Sequence, residues 1–332
     1  MGIPLVSVII PVYKVEKYIE RCARSLFSQE LNNIEYIFVD DCSPDRSMEI
    51  LSHVIEEYQT RIHEKHWIVR TERMSKNSGQ AAVRKHAIQR ANGDYILHCD
   101  SDDWIEAGMI DEMWSLANKD DLDVVICDYC HHTGTEAIVH QGIKSSHINN
   151  AFNEILGFQA SWALWNKLFR HSLYQRIQLP QDGMNMGEDM AIVIQLLYYC
   201  KRVGYVNKVL YNYWNNVESI TNQKTVSSIF NNFIQWYGNI CLLMSYFRNK
   251  DIDKKTKDQL NFWVAYAIND VYMSLVNTGH ARYSLLFRLT PKVLNSPYIS
   301  WYGKKQYLIY INKRFLASLR CRFLMWNKSN SI

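Results

Sequence analysis

The first half of the chain alternates between short apolar runs and longer stretches in which apolar residues recur every three or four positions. Residues 5–13 are almost all apolar and rich in β-branched side chains, which is typical of a strand covered on both faces. Residues 15–29 carry their apolar side chains on one helical stripe. The same alternation predicts strands at 34–40, 67–70, 95–99 and 123–127 and helices at 48–58 and 80–91. This order of elements predicts an α/β sandwich with a mainly parallel sheet.

The pattern is less regular after residue 128. Residues 188–199 indicate another helix and residues 203–213 another strand, whereas the chain from about residue 227 is helical and aromatic without strand-like alternation. We therefore predict a first domain, with two halves, followed by a helical C-terminal extension. The predicted bounds are 1–220 for the first domain, 1–118 and 119–220 for its halves, and 221–332 for the extension.

The composition is that of a folded globular protein. The chain has 332 residues, of which 48% are apolar, and this is enough to bury a sizeable core. Its eight cysteines are scattered and several lie inside apolar runs, which indicates a reducing compartment rather than a disulfide framework. The first apolar run is too short for a signal peptide, and nowhere do about 18 apolar residues run together. We therefore expect a cytoplasmic protein.

Charge is distributed unevenly along the chain. No acidic residue follows Asp270, whereas ten basic residues do: Arg282, Arg288, Lys292, Lys304, Lys305, Lys313, Arg314, Arg320, Arg322 and Lys328. Subtracting these ten from the formal net charge of +4 leaves −6 for residues 1–279. Residues 304–326 place apolar side chains on one helical face and basic ones largely away from it, which predicts peripheral binding to an anionic membrane. Packing of this stripe on the acidic first domain is the open alternative, and no nucleic-acid recognition motif accompanies the charge.

Two acidic clusters directly follow predicted strands. Residues 40–45 (DDCSPD) come after the second strand and residues 100–103 (DSDD) after the fourth. Ligands of open α/β sheets bind beyond the carboxyl ends of the strands. Neighbouring carboxylates repel one another by about 1 kcal/mol per pair or more, and Mg²⁺ or Mn²⁺ bound together with a diphosphate would offset this repulsion. The alternative, in which these are solvated turn and helix-capping residues, remains open on residue type alone.

Two common phosphate-binding loops are missing from the sequence. The segment after the first strand (VYKVE) contains no glycine, and no G-x-x-x-x-G-K-[ST] motif occurs. These absences argue against a dinucleotide-binding protein, a P-loop NTPase and a nucleotidylyltransferase with a glycine-rich basic loop. The phosphates of a bound nucleotide would instead be held by a metal ion and side chains.

Six segments, in order, resemble the family 2 glycosyltransferases, which are inverting enzymes of the GT-A fold. They are VSVIIPVYKVEKYIERCARSLFSQ, EYIFVDDCSPDRS, NSGQAAVRKHAIQRANGDYILHCDSDDW, WNKLF, GEDM and LYNYW with SIT, over about residues 5–221. The resemblance implies a GT-A-type α/β/α sandwich with a nucleotide-binding first half and an acceptor-side second half. It also implies that a single sugar passes from a nucleotide-diphosphate sugar, most often a UDP-sugar, to a hydroxyl of a glycan or lipid-linked acceptor in bacterial surface polysaccharide synthesis. The alternative is a catalytically silent nucleotide-sugar-binding or scaffold protein.

The resemblance also implies the residues that bind the nucleotide. Pro11 and Tyr13 correspond to the loop that lies along the nucleoside. Asp41 corresponds to the partner of the nucleotide base. Asn77 and Gly79 correspond to the wall on the nucleotide side of the site.

The same resemblance implies the carboxylates that carry the chemistry. Asp100 and Asp102 correspond to the metal and ribose carboxylates, with Asp102 as the direct ligand of Mg²⁺ or Mn²⁺ and Asp103 in contact with the sugar. Asp189 corresponds to the catalytic base, which takes the proton of the attacking acceptor hydroxyl. Glu188 would orient the acceptor beside it. First-turn acids that favour a helix dipole are the alternative interpretation of this pair.

Few basic groups are available to meet the diphosphate. Arg84 corresponds to a residue of the nucleotide-side wall that would face the base or a phosphate. Related sequences often carry Arg or His where residues 211–216 (YNYWNN) are neutral. Lys208 and Lys224 are the nearby alternatives.

Two tryptophans lie next to the WNKLF segment. Trp162 and Trp165 have the side chain that stacks on sugar rings, but aromatic residues in such a position more often belong to the core. The sequence leaves both interpretations open.

Overall fold

The computed structural model describes residues 2–143, 148–216 and 225–277, and positions 291, 293–295, 304, 305 and 307–309. The chain divides into two compact units, Met1–Ser219 and Ile220–Ile332. The first unit contains a nine-stranded sheet with the order β3-β2-β1-β4-β8-β6-β9-β5, and β7 pairs with β6. Its strands are β1 (Val6–Val12), β2 (Ile34–Asp40), β3 (Ile68–Arg73), β4 (Tyr95–His98), β5 (Trp104–Ile105), β6 (Val124–His132), β7 (Ala137–His140), β8 (Lys167–Arg170) and β9 (Val203–Trp214).

Helices cover both faces of this sheet. Alternate β1 residues, including Val8 and Ile10, pack in one core cluster with α1, α2 and α5, while α4 contacts β1 and β2. The helices of the first unit are α1 (Ile19–Phe27), α2 (Ser47–Glu57), α3 (Gln59–Glu64), α4 (Gln80–Ile88), α5 (Met109–Lys119), α6 (Ile148–Leu156) and α7 (Glu188–Tyr199), with a 3-10 helix at His171–Arg176. Because β1 is covered on both faces, its residues are apolar with few exceptions. The predicted α/β/α fold class is confirmed.

Beyond β4 the strand pairing in the sheet is no longer purely parallel. The first four strands pair in parallel, but β8 runs antiparallel between β4 and β6, and β5 runs antiparallel beside β9. Strands β5, β7 and β8 were not predicted, because such short runs give no periodic pattern outside the regular strand–helix alternation that revealed the equally short β4. Strand β6 is longer than the predicted 123–127, since its outer end is extended by the pairing with β7.

The second unit is helical in its described part, as predicted for the C-terminal part. Helices α8 (Val226–Phe247) and α9 (Lys254–Asn277) pack together, and the rings of Trp236 and Trp263 stack at 5.9 Å. None of the helices in the described ranges combines the length and apolarity needed to cross a bilayer. The predicted membrane-binding stripe at 304–326 lies outside the described residues except for positions 304, 305 and 307–309.

Candidate functional site

The two acidic clusters lie at one edge of the sheet. In the parallel pairing Val12 is opposite Asp40, and Ile9 is opposite His98, so the carboxyl ends of β1, β2 and β4 meet. Asp41 follows β2 directly, and the loop 100–103 follows β4 after one residue. The sequence pattern therefore predicted correctly which strand ends would share an edge.

Asp41 is tied to the loop that precedes α4. Its Oδ1 accepts a hydrogen bond from Ser78 N at 2.7 Å, and its Oδ2 accepts one from Gly79 N at 2.8 Å. Burial raises the pKa of Asp41, and these two backbone hydrogen bonds oppose the rise. Asn77 and Tyr13 are exposed at the same edge, and Pro11 is half-buried.

Gly79 has a conformation and a location that only glycine fits. Its φ is +82° and its ψ is 163°, a region that side-chain-bearing residues rarely adopt. A Cβ on Gly79 would lie 2.3 Å from Nδ2 of Asn185. Asn185 Oδ1 accepts a hydrogen bond from Ala81 N at 3.1 Å, at the start of α4. Asn185 was not predicted, because its loop joins the site only in the folded chain.

The loop 100–103 is clamped by the end of β9. The fully buried Asp103 accepts hydrogen bonds from the Tyr211 hydroxyl at 2.6 Å and from Trp214 N at 2.7 Å. The same Tyr211 hydroxyl accepts a hydrogen bond from Asp100 N at 3.1 Å. Burial raises the pKa of Asp103 well above its ordinary value, and the neighbouring carboxylates raise it further. Asp103 thus faces the protein rather than the open edge.

Asp102 is partly exposed and has a neutral polar partner, whereas the partly exposed Asp100 is paired with Arg84. Asp102 Oδ2 accepts a hydrogen bond from Asn216 Nδ2 at 3.1 Å. Burial raises the pKa of Asp102, and the Asn216 hydrogen bond opposes the rise. Arg21, which was not predicted, donates to the Asp102 carbonyl at 2.8 Å, and its guanidinium lies 3.8 Å from the Trp104 ring centroid.

Neither of the lysines considered from the sequence is assigned to this cluster. Lys208 Nζ lies 2.8 Å from a carboxylate oxygen of Glu112 on α5. Lys224 lies outside the described residues. The basic side chains that contact the loop 100–103 are instead Arg21, at the Asp102 carbonyl, and Arg84, at the Asp100 carboxylate.

Arg84 joins the two groups of carboxylates. It is fully buried on α4, and its Nη2 lies 2.8 Å from Asp100 Oδ1 and 3.5 Å from Asp189 Oδ1, while Nε lies 3.8 Å from Glu188 Oε1. Nη1 donates to His98 Nδ1 at 3.2 Å, because a guanidinium cannot accept. Burial alone would lower the pKa of Arg84, but the three carboxylates raise it overall. The guanidinium is thus directed at protein carboxylates.

The pair Glu188 and Asp189 begins α7, directly after Gly187 with a φ of +76°. Glu188 is buried, and burial raises its pKa well above the ordinary value, with a further increase from Asp189. The Asp189 side chain is 19% exposed, and its Oδ2 accepts a long hydrogen bond from Leu164 N at 3.4 Å. Among the described residues, no group donates a hydrogen bond to its Oδ1.

The site contains more carboxyl groups than basic groups. Asp100, Glu188 and Asp189 share Arg84, and Asp102 adds a further carboxylate. Burial raises the pKa of Asp100 to about 6, although Arg84 lowers it in part. Within the described ranges, no three His, Cys, Asp or Glu side chains are grouped to hold a metal ion by themselves. Asp100 and Asp102, both partly exposed, are the kind of ligand that an ion of the Mg²⁺ class uses when one or two carboxylates bind it together with substrate phosphates and water.

The two tryptophans near WNKLF lie in different environments. Trp165 is buried, and its ring stacks on that of Tyr211 at 4.3 Å, so it belongs to the core beneath the loop 100–103. Trp162 is half-buried and lines a pocket.

Comparison with known sequences identifies relatives of the first unit. The sequence profile of Glycosyl transferase family 2 matches residues 7–196. EpsH of Bacillus subtilis (strain 168), a protein whose own assignment as a glycosyltransferase is provisional, is 34% identical over 233 residues. That alignment covers 66% of this chain and 63% of EpsH, so the matched part spans slightly less than two thirds of the relative.

Comparison with solved structures identifies the same fold. The crystal structure of Staphylococcus aureus TarS 1–349 in complex with UDP-GlcNAc has a TM-score of 0.57 at 19% identity and covers 81% of each chain. The mannosyltransferase PcManGT from Pyrobaculum calidifontis, in complex with GDP-Man and Mn²⁺, has a TM-score of 0.53 at 16% identity and covers 95% of this chain and 88% of its own. At these identities the similarity establishes the fold alone.

Replacement of Arg84 by leucine is expected to destabilise the protein in a pH-dependent way. The pKa of Asp100 is raised to about 6 in the folded state, so its ionisation lowers stability as the pH rises through about 6, and Arg84 limits that loss. We expect Arg84→Leu to lower the free energy of unfolding by about 3–5 kcal/mol at pH 7.5, because buried carboxylates lose their partner. The loss at pH 5 should be smaller.

Chemical denaturation at the two pH values measures this difference. Arg90→Leu is the matched control, since Arg90 pairs with Glu72 at the surface. It should cost about 1 kcal/mol or less at either pH. An equal loss for Arg84→Leu at pH 5 and pH 7.5 would contradict the assigned role of the ion pairs.

Proposed function

This chain belongs to glycosyl transferase family 2, and from this premise we propose that it transfers a single sugar from a nucleoside diphosphate sugar to an acceptor hydroxyl with inversion of the anomeric centre. The observation that carries the proposal is the Arg84 cluster. It joins Asp100, at the edge where the donor would bind, to Asp189, at the start of α7. A donor-binding loop and a candidate base are thereby held side by side.

The nucleoside is proposed to bind along the ends of β1 and β2. Tyr13 and Asn77 are exposed there, and Pro11 is half-buried. Asp41 is proposed to accept a hydrogen bond from the base, since each carboxylate oxygen can accept a second hydrogen bond beside those from Ser78 and Gly79. A uridine nucleotide is proposed because the TarS structure holds UDP-GlcNAc.

The diphosphate is proposed to lie at the loop 100–103. Asp102, and Asp100 with it, would hold Mg²⁺ or Mn²⁺, and the PcManGT structure with Mn²⁺ supports a divalent ion. When bound, the ion neutralises the charge that develops on the departing diphosphate. Arg21 lies next to this loop as an additional positive charge. The resemblance implied that Arg84 contacts the nucleotide and Asp103 the sugar. Both side chains are fully buried. We therefore propose that they position the loop instead of contacting the donor.

Asp189 is proposed as the general base. Its partly exposed carboxylate would take the proton of the acceptor hydroxyl while that oxygen forms a bond to the anomeric carbon. The bond from this carbon to the diphosphate oxygen breaks, and the electron pair leaves with the diphosphate. Attack from the opposite face inverts the centre. Glu188 is buried and precedes Asp189 on α7, and we propose that it keeps the Asp189 carboxylate oriented toward the acceptor.

The proposed acceptor is a glycan or a lipid-linked glycan of a surface polysaccharide. TarS, which is 24% identical to this chain over 262 residues, is named a poly(ribitol-phosphate) beta-N-acetylglucosaminyltransferase. The rival proposal is a nucleotide-sugar-binding or scaffold protein without catalysis. The two differ in one respect, since only an enzyme needs Asp189 to exchange a proton.

Binding of a donor should depend on Asp102 and on metal. We expect UDP-GlcNAc at 100 times its dissociation constant, with Mn²⁺, to add about 2.7 kcal/mol of stability, which a thermal-shift assay detects as a higher Tm. Asp102→Asn should lose most of the Mn²⁺-dependent part of this shift. Asp120→Asn, a change in an exposed carboxylate after α5, is the control and should keep it. If no UDP-, GDP- or dTDP-sugar shifts the Tm with metal, the assignment as an enzyme fails.

Asp189→Asn should separate catalysis from binding. We expect a fall of about 10²- to 10⁴-fold in sugar transfer, because the amide cannot take the proton. The donor-induced thermal shift should stay close to that of the native protein. Asp182→Asn, in an exposed residue that pairs with Lys85, should keep full activity. Unchanged transfer or unchanged cellular function in Asp189→Asn would favour the scaffold alternative.

Peripheral attachment to a cytoplasmic membrane surface is proposed from the charge asymmetry. The ten basic C-terminal residues follow residues 1–279, which have a net charge of −6. This value is the formal charge of the chain, +4, minus ten. We expect the full chain to sediment with vesicles that contain anionic lipids. A variant with Lys313, Arg314, Arg320 and Arg322 changed to Gln should sediment several-fold less. Equal sedimentation of the two proteins would refute the attachment.

A further inference from the structure

A pocket of about 540 Å³ lies in the first unit, and none of its described lining residues belongs to the acidic clusters 40–45 and 100–103. It is bounded by the hairpin of β6 and β7 on one side and by residues 158–162 on the other. Its lining includes Tyr129, His140, Gln141, Phe158, Gln159 and Trp162. None of the described lining residues is Asp, Glu, Lys or Arg. This composition fits a neutral ligand.

The lining combines aromatic rings with amides. Tyr129 and His140 stack at 4.8 Å with an interplanar angle of 13°, and Phe158 meets Trp162 edge-on at 5.4 Å. Aromatic rings bind the apolar C–H faces of sugar rings, and side-chain amides can both donate to and accept from hydroxyls. The pocket thus offers both kinds of contact that a pyranose needs.

Phe158 has a strained backbone at the rim of this pocket. Its φ is +61°, in the left-handed region where glycine is the usual residue. It ends α6 with two hydrogen bonds, from its own N to Ile155 O at 3.2 Å and from Gln159 N to Glu154 O at 2.7 Å. Glycine would make the same turn without strain, so an aromatic ring is retained here at a cost in stability. Strain of this kind concentrates at functional sites.

The pocket is linked to Asp189 by a short stretch of chain. Ser161 and Trp162 line the pocket, and Leu164 N donates to Asp189 Oδ2. Three residues span at most about 11 Å when extended. The fully buried Lys167 fixes this stretch, because its Nζ donates to Ser161 O at 2.8 Å and to Ala163 O at 2.7 Å. A chain of sugars could therefore reach from the pocket to the candidate base.

We propose that this pocket binds a neutral sugar ring of the acceptor glycan, displaced from the ring that carries the reacting hydroxyl, and that Phe158 and Trp162 determine acceptor specificity. This inference rests on the proposed sugar transfer. The donor site and Asp189 would set the reaction, and the pocket would select which glycan presents its hydroxyl.

Phe158→Gly tests the proposal, because it removes the ring and introduces a residue that adopts the left-handed backbone conformation without strain. Relief of the left-handed strain opposes the loss of the ring contact with Trp162, so the Tm should stay within a few degrees of the native value. Saturation-transfer NMR with cellotriose, maltotriose and chitotriose as probes should detect binding of at least one trisaccharide to the native protein. Phe158→Gly and Trp162→Ala should each weaken that binding about fivefold to tenfold. Phe262→Ala, in an exposed aromatic residue of the second unit, should change nothing.

Two results would overturn the proposal. One is that none of the trisaccharides binds the native protein, and the other is that both pocket variants bind as well as the native protein does. The donor-induced thermal shift with Mn²⁺, measured on the same variants, should remain at the native value. If the donor with Mn²⁺ caused no rise in the Tm of the native protein, the proposed function itself would be refuted.

Discussion

One buried cation shared by carboxylates from distant parts of the chain organises the candidate site. Arg84 on α4 reaches Asp100 after β4 and Asp189 on α7. Removing either partner would leave buried charge without compensation, which costs several kcal/mol. The planar guanidinium suits this task, because its N–H groups point in several directions at once, whereas a lysine offers a point charge. The two halves of the site are thereby preorganised before a ligand binds.

The parallel half of the sheet was predictable from local sequence. Long β-branched runs such as β1 occur where strands are covered on both faces, and helical stripes of normal length separate them. The antiparallel strands β5, β7 and β8 were not predictable in this way. Strand β8 has four residues, and its place between β4 and β6 depends on pairings with residues far away in sequence. No periodic pattern encodes such pairings.

The candidate site was predictable as a set of residues but not as an arrangement. The strand-end rule drew attention to the acidic clusters that contain Asp41 and Asp102 and explains why they share an edge, whereas Asp189 was identified only through the family resemblance. The direction of a side chain does not follow from spacing, so the burial of Arg84 and Asp103 emerged only in the fold. Trp162 and Trp165 illustrate the same limit, since three positions separate a pocket wall from a core residue.

The clamp on the loop 100–103 has a consequence for the order in which the protein becomes competent. Tyr211 and Asp103 are 108 residues apart, and the neighbouring strand β5 also pairs with β9. During synthesis, β1, β2 and β4 emerge early and can pair with one another, but their acidic loop lacks its clamp until β9 has left the ribosome. A nascent chain could therefore contain the paired strands β1, β2 and β4 while the loop 100–103 still lacks its folded conformation. The ability to bind a donor at the loop 100–103 would thus be acquired only when β9 pairs, late in folding.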